Sequence, residues 1–207
     1  MKILAIRLKN LASLAGPFEL DFTAEPLASA GLFAITGPTG AGKSTLLDAL
    51  CLALFGAVPR LGNASQSAKV PDADGEIGSY DPRTLLRRGT GAGYAEVDFL
   101  GVDGRRYRAR WEANRARDKP AGKLQNSRQS LRDLDNDQLL ASQKGEYKQL
   151  LEARLGLNFE QFTRAVMLAQ SEFSAFLKAD DNERSDFFEE PAATAIYTLS
   201  RRDALPS

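Results

Sequence analysis

A glycine-rich segment near the amino terminus constrains the fold of this chain more than any other feature of its sequence. Residues 37–44, GPTGAGKS, fit the pattern G-x-x-x-x-G-K-[ST] without a mismatch. The apolar run GLFAIT precedes the segment, and leucines at helical spacing follow it as far as Gly56. A glycine-rich loop between a buried strand and a helix is typical of α/β proteins. We therefore expect residues 31–36 to form a strand covered on both faces, and a helix to begin near Ser44.

The residue types in this loop predict a nucleotide-binding site rather than an ordinary turn. Glycines allow the backbone to curl so that successive N–H groups face phosphate oxygens, and the start of the helix adds a partial positive charge. Lys43 would neutralise the β and γ phosphates and the charge of a transition state, while the Ser44 hydroxyl would bind Mg²⁺. The candidate cofactor-binding residues of the loop are Gly37, Pro38, Thr39, Gly40, Ala41, Gly42, Lys43, Ser44 and Thr45.

Hydrophobic periodicity predicts the elements around the loop. KILAIRLKNL and PFELDF alternate like two antiparallel strands, and YAEVDFLGVDGRRYRARW reads as a hairpin that turns at Asp103 and Gly104. Residues 57–93 read mostly as loop, and a further strand or two should precede two helices in GEYKQLLEARLGL and NFEQFTRAVMLAQSEFSAFL. The expected fold class is α/β, with an antiparallel β subdomain next to a parallel-sheet core and a helical C-terminal part.

The composition excludes several kinds of chemistry. The chain has no histidine, so histidine general bases and histidine metal ligands are impossible. Its single cysteine, Cys51, rules out an internal disulfide and lies in a helical apolar pattern typical of the core. The 27 basic and 27 acidic residues balance, so no overall field attracts nucleic acid or membrane. The amino terminus carries neither a secretion signal nor a membrane span, which predicts a cytoplasmic location and no membrane partner.

Hydrolysis at a P-loop also needs an acidic residue at the end of a second buried strand, and the sequence offers no convincing one. Asp98 in YAEVDF shares its strand face with Glu96, which predicts a half-solvated antiparallel strand instead. DADG at residues 72–75 has the spacing of a GTPase switch, but no apolar strand precedes it and the chain contains no N-K-x-D. A stand-alone small P-loop kinase or GTPase stays open as an alternative.

Basic residues concentrate between positions 105 and 128, a segment that contains nine lysines and arginines but only two acidic residues. Alternate arginines of RRYRARW share one strand face, and Tyr107, Ala109 and Trp111 on the other face should belong to the core. A row of arginines fits a DNA phosphate backbone without reading sequence, whereas a solvated edge that discourages sheet aggregation is the alternative. A non-catalytic DNA-binding fragment is therefore a further interpretation. The candidate DNA contacts here are Arg106, Arg108, Arg110, Arg115 and Arg117.

The chain closely resembles the amino-terminal ATPase segment of SbcC, a family of SMC-like (ABC-type) ATPase subunits of SbcCD nuclease complexes. The motifs that carry the resemblance are the amino-terminal K-N-L-x-S element, GLFAITGPTGAGKSTLLDALCLALFG, LLRRG, YAEVDF and MLAQSEFSAFL. The resemblance covers residues 1–190, which would form the amino-terminal lobe of an ATPase head with its P-loop and Q-loop. Residues 191–207 read as an atypical tail where the family's coiled coil would begin.

This resemblance implies roles for residues that the loop pattern does not reach. The cofactors would be ATP and Mg²⁺. Gln170 in LAQSEF would be the Q-loop glutamine, a second Mg²⁺ contact that senses the γ phosphate. Asn10 and Ser13 match an element that lies close to the nucleotide. Arg87 and Arg88 in LLRRG lie where such heads often carry an arginine that links DNA contact to ATP use.

The resemblance also implies function and partners. Family heads engage in pairs on ATP binding and regulate an SbcD-like nuclease subunit, a double-strand exonuclease and hairpin endonuclease of DNA repair and recombination. In the family a coiled coil with a zinc-binding Cys-x-x-Cys tip follows this segment, and the carboxy-terminal lobe then carries the signature motif and the Mg-binding acid. This sequence contains no S-x-G-E or S-G-G motif, no Mg-binding acid strand, no Cys-x-x-Cys and no heptad run. We therefore expect ATP hydrolysis by a complete complex, and little or none by this chain alone.

Overall fold

A computed structural model describes residues 1–62, 65, 67–73 and 75–165 of the chain. It contains two compact units, of which the first spans Met1–Leu155 and the second begins at Gly156. The strands and α-helices of the first unit are β1 Lys2–Lys9, β2 Phe18–Asp21, α1 Lys43–Phe55, α2 Pro59–Gly62, β3 Lys69–Asp72, β4 Gly75–Gly78, β5 Ala92–Leu100, β6 Arg106–Asn114, β7 Arg128–Asp133, β8 Gln138–Ala141 and α3 Lys144–Leu155, and two short 3-10 helices span Pro82–Leu85 and Ala116–Asp118. The second unit contributes α4, Phe159–Ala165.

Six strands form one antiparallel sheet in the order β2-β1-β5-β6-β7-β8, and β3 pairs with β4 in a separate hairpin. The pairing of β1 with β2 and the hairpin of β5 with β6 confirm the strands predicted from alternation. Gly104 at the hairpin tip has a φ of 76°, a left-handed conformation that glycine adopts without strain. Residues 57–93, predicted as mostly loop, also contain α2 and the β3–β4 hairpin, whose strands are too short to show a period.

The core lies between one face of this sheet and α1. Ala95, Val97 and Phe99 of β5 face it, as do Tyr107, Ala109 and Trp111 of β6, and all six are fully buried. The prediction that the apolar face of RRYRARW belongs to the core is therefore confirmed. Helix α1 packs against β1, β5 and β6, and α3 packs against β7 and β8.

Two glycines set the limits of α1. Gly42 precedes the first residue of the helix with φ 95° and ψ 11°, and Gly56 follows the last with φ 64° and ψ 18°. The Gly56 N–H donates to the carbonyl of Leu52 at 2.9 Å, which satisfies one of the carbonyls left open by the last turn. Helix α1 thus begins and ends where the sequence predicts. None of the helices in the described ranges is long and apolar enough to cross a membrane.

The strand predicted at residues 31–36 is wrong, because this segment forms no strand and is exposed along its whole length. Leu32 is 93% exposed, and Phe33 and Ile35 are 45% and 47% exposed. An apolar run becomes a buried strand only where neighbouring strands pair with its backbone and other elements cover its faces. No described strand pairs with this segment, and the described residues contain only antiparallel pairs, so they do not form the predicted parallel-sheet core.

Candidate nucleotide-binding site

The glycine-rich loop lies at the surface, directly before α1. Residues 37–41 are exposed, and Gly42 and Lys43 are half-buried. Gly40 and Gly42 have φ angles of 83° and 95°, which favour glycine over any residue with a side chain. Gly37 also has a positive φ, of 154°, so the backbone conformation of the loop explains all three glycines of the motif.

The Lys43 side chain folds back over this loop. Its ammonium group donates to the carbonyl oxygens of Gly37 at 2.6 Å and Pro38 at 2.9 Å. Both acceptors are neutral, so an anionic phosphate oxygen would be a stronger partner for the same ammonium. Lys43 is thus held where a charged ligand seated on the loop would meet it.

The start of α1 offers further donors. No side chain caps the helix, so within the described residues the first-turn amides have no side-chain acceptor. Ser44 is exposed, as a metal-binding hydroxyl requires, whereas Thr45 is only 6% exposed and its N–H donates to the Gly42 carbonyl at 3.0 Å. The residues of the loop therefore fit a bound nucleotide phosphate with Mg²⁺, although Thr45 lies on the buried side of the helix.

A turn in the amino-terminal segment contacts the end of the loop. A Cβ added to Gly42 would lie 2.7 Å from Leu14 Cδ2 and 3.2 Å from Ser13 Oγ, so both side chains lie against the Gly42 backbone. The resemblance placed Ser13 close to the nucleotide, and the structure brings it to the loop. Asn10 has a different contact, since its side-chain amide donates to the Ala92 carbonyl at 2.7 Å. Sequence reasoning missed Leu14, for which the pattern carries no signal.

The candidates in LLRRG differ from each other. The half-buried Arg87 donates through Nη1 to the carbonyls of Ser13 at 2.7 Å and Ala12 at 3.2 Å. Arg88 is exposed and makes no hydrogen bond or ion pair with the described residues. Both line a surface cavity of about 350 Å³. Gln170, the predicted Q-loop residue, lies outside the described residues, as does the tail at 191–207.

The arginines predicted to contact DNA from the β5–β6 hairpin are bound to carboxylates. Arg108 donates to Asp98 through Nε at 2.6 Å and Nη2 at 2.7 Å, and Arg110 donates to Glu96 at 3.0 Å. Arg7 on β1 reaches the same two acids, at 2.8 Å from Asp98 and 3.3 Å from Glu96. The arginine row of the outer sheet face is therefore neutralised within the sheet.

The acidic residues of this network are buried under the arginine side chains, with Glu96 and Asp98 each 7% exposed. Burial opposes the ionisation of Asp98, but hydrogen bonds and charge from Arg108 and Arg7 outweigh it and hold the pKa of Asp98 below its ordinary value. Asp98 is thus a structural ion-pair partner on an antiparallel strand, which agrees with rejecting it as a Mg²⁺ ligand. The hairpin register, which pairs Glu96 with Arg110 and Asp98 with Arg108, was the signal that could have revealed these partners.

The remaining DNA candidates are placed in three different settings. Arg106 pairs with Asp135 at 2.7 Å. Arg115, whose side chain is 15% exposed, pairs with the buried Asp72 at 2.5 Å and so ties the β3–β4 hairpin to the sheet. Arg117 is exposed and makes no hydrogen bond or ion pair with the described residues.

A glycine-rich loop of this sequence, with its lysine folded over it and a helix packed on a sheet behind it, defines a P-loop ATPase domain of mixed α/β structure. The chain belongs to a family described as AAA domain, whose model matches residues 5–204. This match confirms the P-loop ATPase fold class expected from the sequence.

Similar proteins narrow the comparison further. The chain is 67% identical over 199 residues to the SbcC subunit of the SbcCD nuclease of Pseudomonas aeruginosa, covering 96% of this chain and 16% of that protein. It is 54% identical over 198 residues to the corresponding SbcC protein of Rhodobacter capsulatus, covering 95% and 16% respectively. A DNA double-strand break repair Rad50 ATPase of Methanopyrus kandleri is 28% identical over 201 residues, covering 96% and 19%. The resemblance to SbcC is thus confirmed, and none of these three relatives is a small kinase or GTPase.

This chain spans about a sixth of the length of the curated SbcC relatives that it matches. What their names state about nuclease complexes and DNA repair therefore describes proteins much longer than this one.

Proposed function

We propose that this chain is the ATP-binding half of an SbcC-like ATPase head. In this proposal residues 1–190 form its amino-terminal lobe, and residues 191–207 form an atypical tail at the position where the family's coiled coil would begin. The observation that carries the proposal is the Lys43 ammonium, which lies over the glycine-rich loop on the carbonyls of Gly37 and Pro38. The loop amides and this ammonium together form an anion-binding surface at the start of α1.

Each group in the site has a defined task in this proposal. The amides of residues 37–45 bind and orient the phosphate tail, and Lys43 neutralises its outer end. The Ser44 hydroxyl, which is exposed, would hold Mg²⁺, and Gln170 would be its second protein contact. When bound, Mg²⁺ supplies charge that stabilises the phosphate oxygens.

The exposed apolar segment at residues 31–36 favours the proposal that a second lobe packs against this one. Leu32, Phe33 and Ile35 lie at the surface directly before the loop, and Leu47 of α1 is 46% exposed. An exposed apolar patch beside a site is typical of a protein interface. In the proposed head, the carboxy-terminal lobe would cover this patch and a second head would close over the nucleotide, with an SbcD-like nuclease subunit as the further partner.

Binding of ATP to the 207-residue chain tests the proposal directly. We expect calorimetry to detect magnesium-dependent ATP binding, and we expect Lys43→Ala to weaken it by about 10- to 100-fold, since a charged hydrogen bond contributes about 1.5–3 kcal/mol. Lys69→Ala is the matched control, because Lys69 is an exposed lysine whose ion pair in the described part of the chain is with the exposed Glu76, at 3.3 Å. Equal affinity for wild type and Lys43→Ala would refute the site.

Turnover separates this half-head from a self-sufficient kinase or GTPase. In the proposed head the signature motif and the Mg-binding acid come from outside this sequence, so ATP should bind without rapid hydrolysis. Phosphate release would be measured with ATP and GTP, in the presence and absence of duplex DNA. Robust turnover of either nucleotide by the chain alone would favour the self-sufficient enzyme.

We also propose double-stranded DNA as a partner, contacted by exposed arginines such as Arg88 and Arg117. Neither pairs with an acid among the described residues, unlike Arg108 and Arg110. Arg88→Ala and Arg117→Ala should each reduce the salt slope of duplex affinity by about one, because each contact neutralises one phosphate. Arg108→Ala should leave the slope unchanged. Anisotropy titrations at several salt concentrations measure this, and a slope that is unchanged in both exposed variants would contradict the proposal.

A further inference from the structure

The LLRRG segment and the turn at residues 10–15 are joined by backbone hydrogen bonds. The Ala12 N–H donates to the Leu85 carbonyl at 2.8 Å, and the Arg87 N–H donates to the Asn10 carbonyl at 2.9 Å. Two segments that are far apart in sequence thus form one short antiparallel contact beside the phosphate loop.

The Arg87 guanidinium adds a second tie to the same turn. A single nitrogen, Nη1, donates to two successive carbonyl oxygens, those of Ala12 and Ser13. A charged donor on neutral carbonyls makes a stronger bond than an amide does. This turn needs such support, because Ala12 has a φ of 45° and is therefore held in the left-handed region that side chains disfavour.

The turn that Arg87 holds is the one that contacts the phosphate loop. Ser13 carries one of the two carbonyls that Arg87 binds, and Leu14 is the next residue. The side chains of both residues lie against Gly42. Gly42 is the residue directly before α1. A shift of the turn would therefore change the packing at the point where the loop amides turn into the helix.

We propose that Arg87 is a positioning residue for the phosphate loop. It holds the loop through the turn at residues 10–15 and not through contact with nucleotide or DNA. This inference rests on the proposed function, because it names what fixes the loop that binds ATP. A rigidly placed set of amides binds an anion more tightly than a mobile set does, since less order has to be imposed on binding.

Nucleotide affinity provides the first measurement. Arg87→Ala should weaken ATP binding by about tenfold, equivalent to about 1.4 kcal/mol. Arg87→Lys keeps a charge that can reach one carbonyl and should recover part of the loss. The matched control is Arg132→Ala. Arg132 is a surface arginine on β7 that also donates to a backbone carbonyl, that of Asp137, at 3.2 Å. We expect its affinity to equal that of the wild type.

A double-mutant cycle separates positioning from direct contact. Leu14→Ala removes the side chain that lies on Gly42 and leaves the carbonyl acceptors of Arg87 in place. If Arg87 acts through the turn, the losses from Arg87→Ala and Leu14→Ala should not add, because both interrupt one chain of contacts. Fully additive losses would instead show that Arg87 acts independently of Leu14, and the inference would be overturned.

Amide hydrogen exchange without nucleotide keeps this inference separate from the proposed function. Arg87→Ala should speed exchange in residues 10–15 and 37–45 and leave residues 106–114 of β6 unchanged, and Arg87→Lys should restore part of the protection. Unchanged exchange in residues 37–45 would overturn the inference even if ATP binds. If wild type failed to bind ATP, the proposed function would fall, and exchange alone would still decide whether Arg87 holds the loop.

Discussion

Leu14 fills the space into which a Cβ on Gly42 would project, with its Cδ2 only 2.7 Å from that position. This relationship joins the amino-terminal strands to the phosphate loop. It also gives the last glycine of the motif two separate reasons to be glycine, because its φ of 95° disfavours a side chain and a Cβ there would require the Leu14 side chain to move.

Gly42→Ala is expected to lower the free energy of unfolding by about 2–4 kcal/mol, the sum of left-handed strain and overpacking. Gly40→Ala is the matched control: Gly40 has a φ of 83°, but nothing lies within 4 Å of an added Cβ. Gly40→Ala should lower the free energy of unfolding by only about 1–2 kcal/mol, because it adds left-handed strain without a steric overlap. Urea unfolding measures both values. Equal losses in the two variants would mean that the contact with Leu14 has no energetic consequence.

Asp98→Asn should destabilise the chain by about 2 kcal/mol at neutral pH, because it removes the charge that Arg7 and Arg108 share in a buried network. The pKa of Asp98 is held below its ordinary value of 3.8 in the folded chain. Its stabilising charge is therefore present at neutral pH and is lost as the pH falls through that lowered pKa. Urea unfolding across pH should show a difference between wild type and variant that is constant near pH ~7 and shrinks below about pH 4.

The control for this network is Asp137→Asn. Asp137 pairs with Arg132 at 2.8 Å, but its side chain is 87% exposed. Its φ of 51° is one that asparagine tolerates well, so the backbone should not be disturbed. An exposed ion pair contributes little, and the loss should stay below about 0.5 kcal/mol. A pH-independent difference for Asp98→Asn would show that its charge is not what stabilises the sheet.

The sequence predicts the glycine-rich loop and the limits of α1 better than it predicts the segment that precedes them. The loop, the start of α1 directly after Gly42 and its end directly before Gly56 follow from local backbone chemistry, which a short pattern encodes. The exposure of residues 31–36 does not follow, because the burial of an apolar run depends on partners elsewhere. An apolar pattern states what a segment tends to bury and is silent on what covers it.

The arginine row shows a second limit of sequence reasoning. The alternation in RRYRARW correctly predicts that Arg108 and Arg110 share a face and that Trp111 belongs to the core. It does not reveal that Glu96 and Asp98 lie directly across from those arginines, because cross-strand neighbours follow from the register and not from the strand itself. Local excess of positive charge was therefore a poor guide to the free charge of this surface.

Tyr147→Phe is expected to lower the free energy of unfolding by about 1–1.5 kcal/mol. The buried Tyr147 hydroxyl lies 2.6 Å from the Ala53 carbonyl and 2.9 Å from the Leu54 carbonyl, in the last turn of α1. The variant leaves these acceptors in place without their donor. Tyr80→Phe is the control, because Tyr80 is 46% exposed and should change stability by less than about 0.5 kcal/mol. Urea unfolding compares them, and equal values would show that the tie between α3 and α1 contributes nothing.

Cys51 should resist thiol reagents as long as the chain stays folded. It is fully buried in α1, and burial, with a smaller contribution from the nearby Asp48 charge, raises its pKa to about 12. At pH ~8 the reactive thiolate is therefore scarce as well as inaccessible. Labelling with a disulfide reagent such as DTNB should be slow in buffer and fast in about 6 M guanidinium, where the pKa returns towards about 8.5. Because Cys51 lies in the helix that begins at the phosphate loop, rapid labelling in buffer would mean that α1 detaches from the sheet, and the loop geometry would then not be fixed by the core.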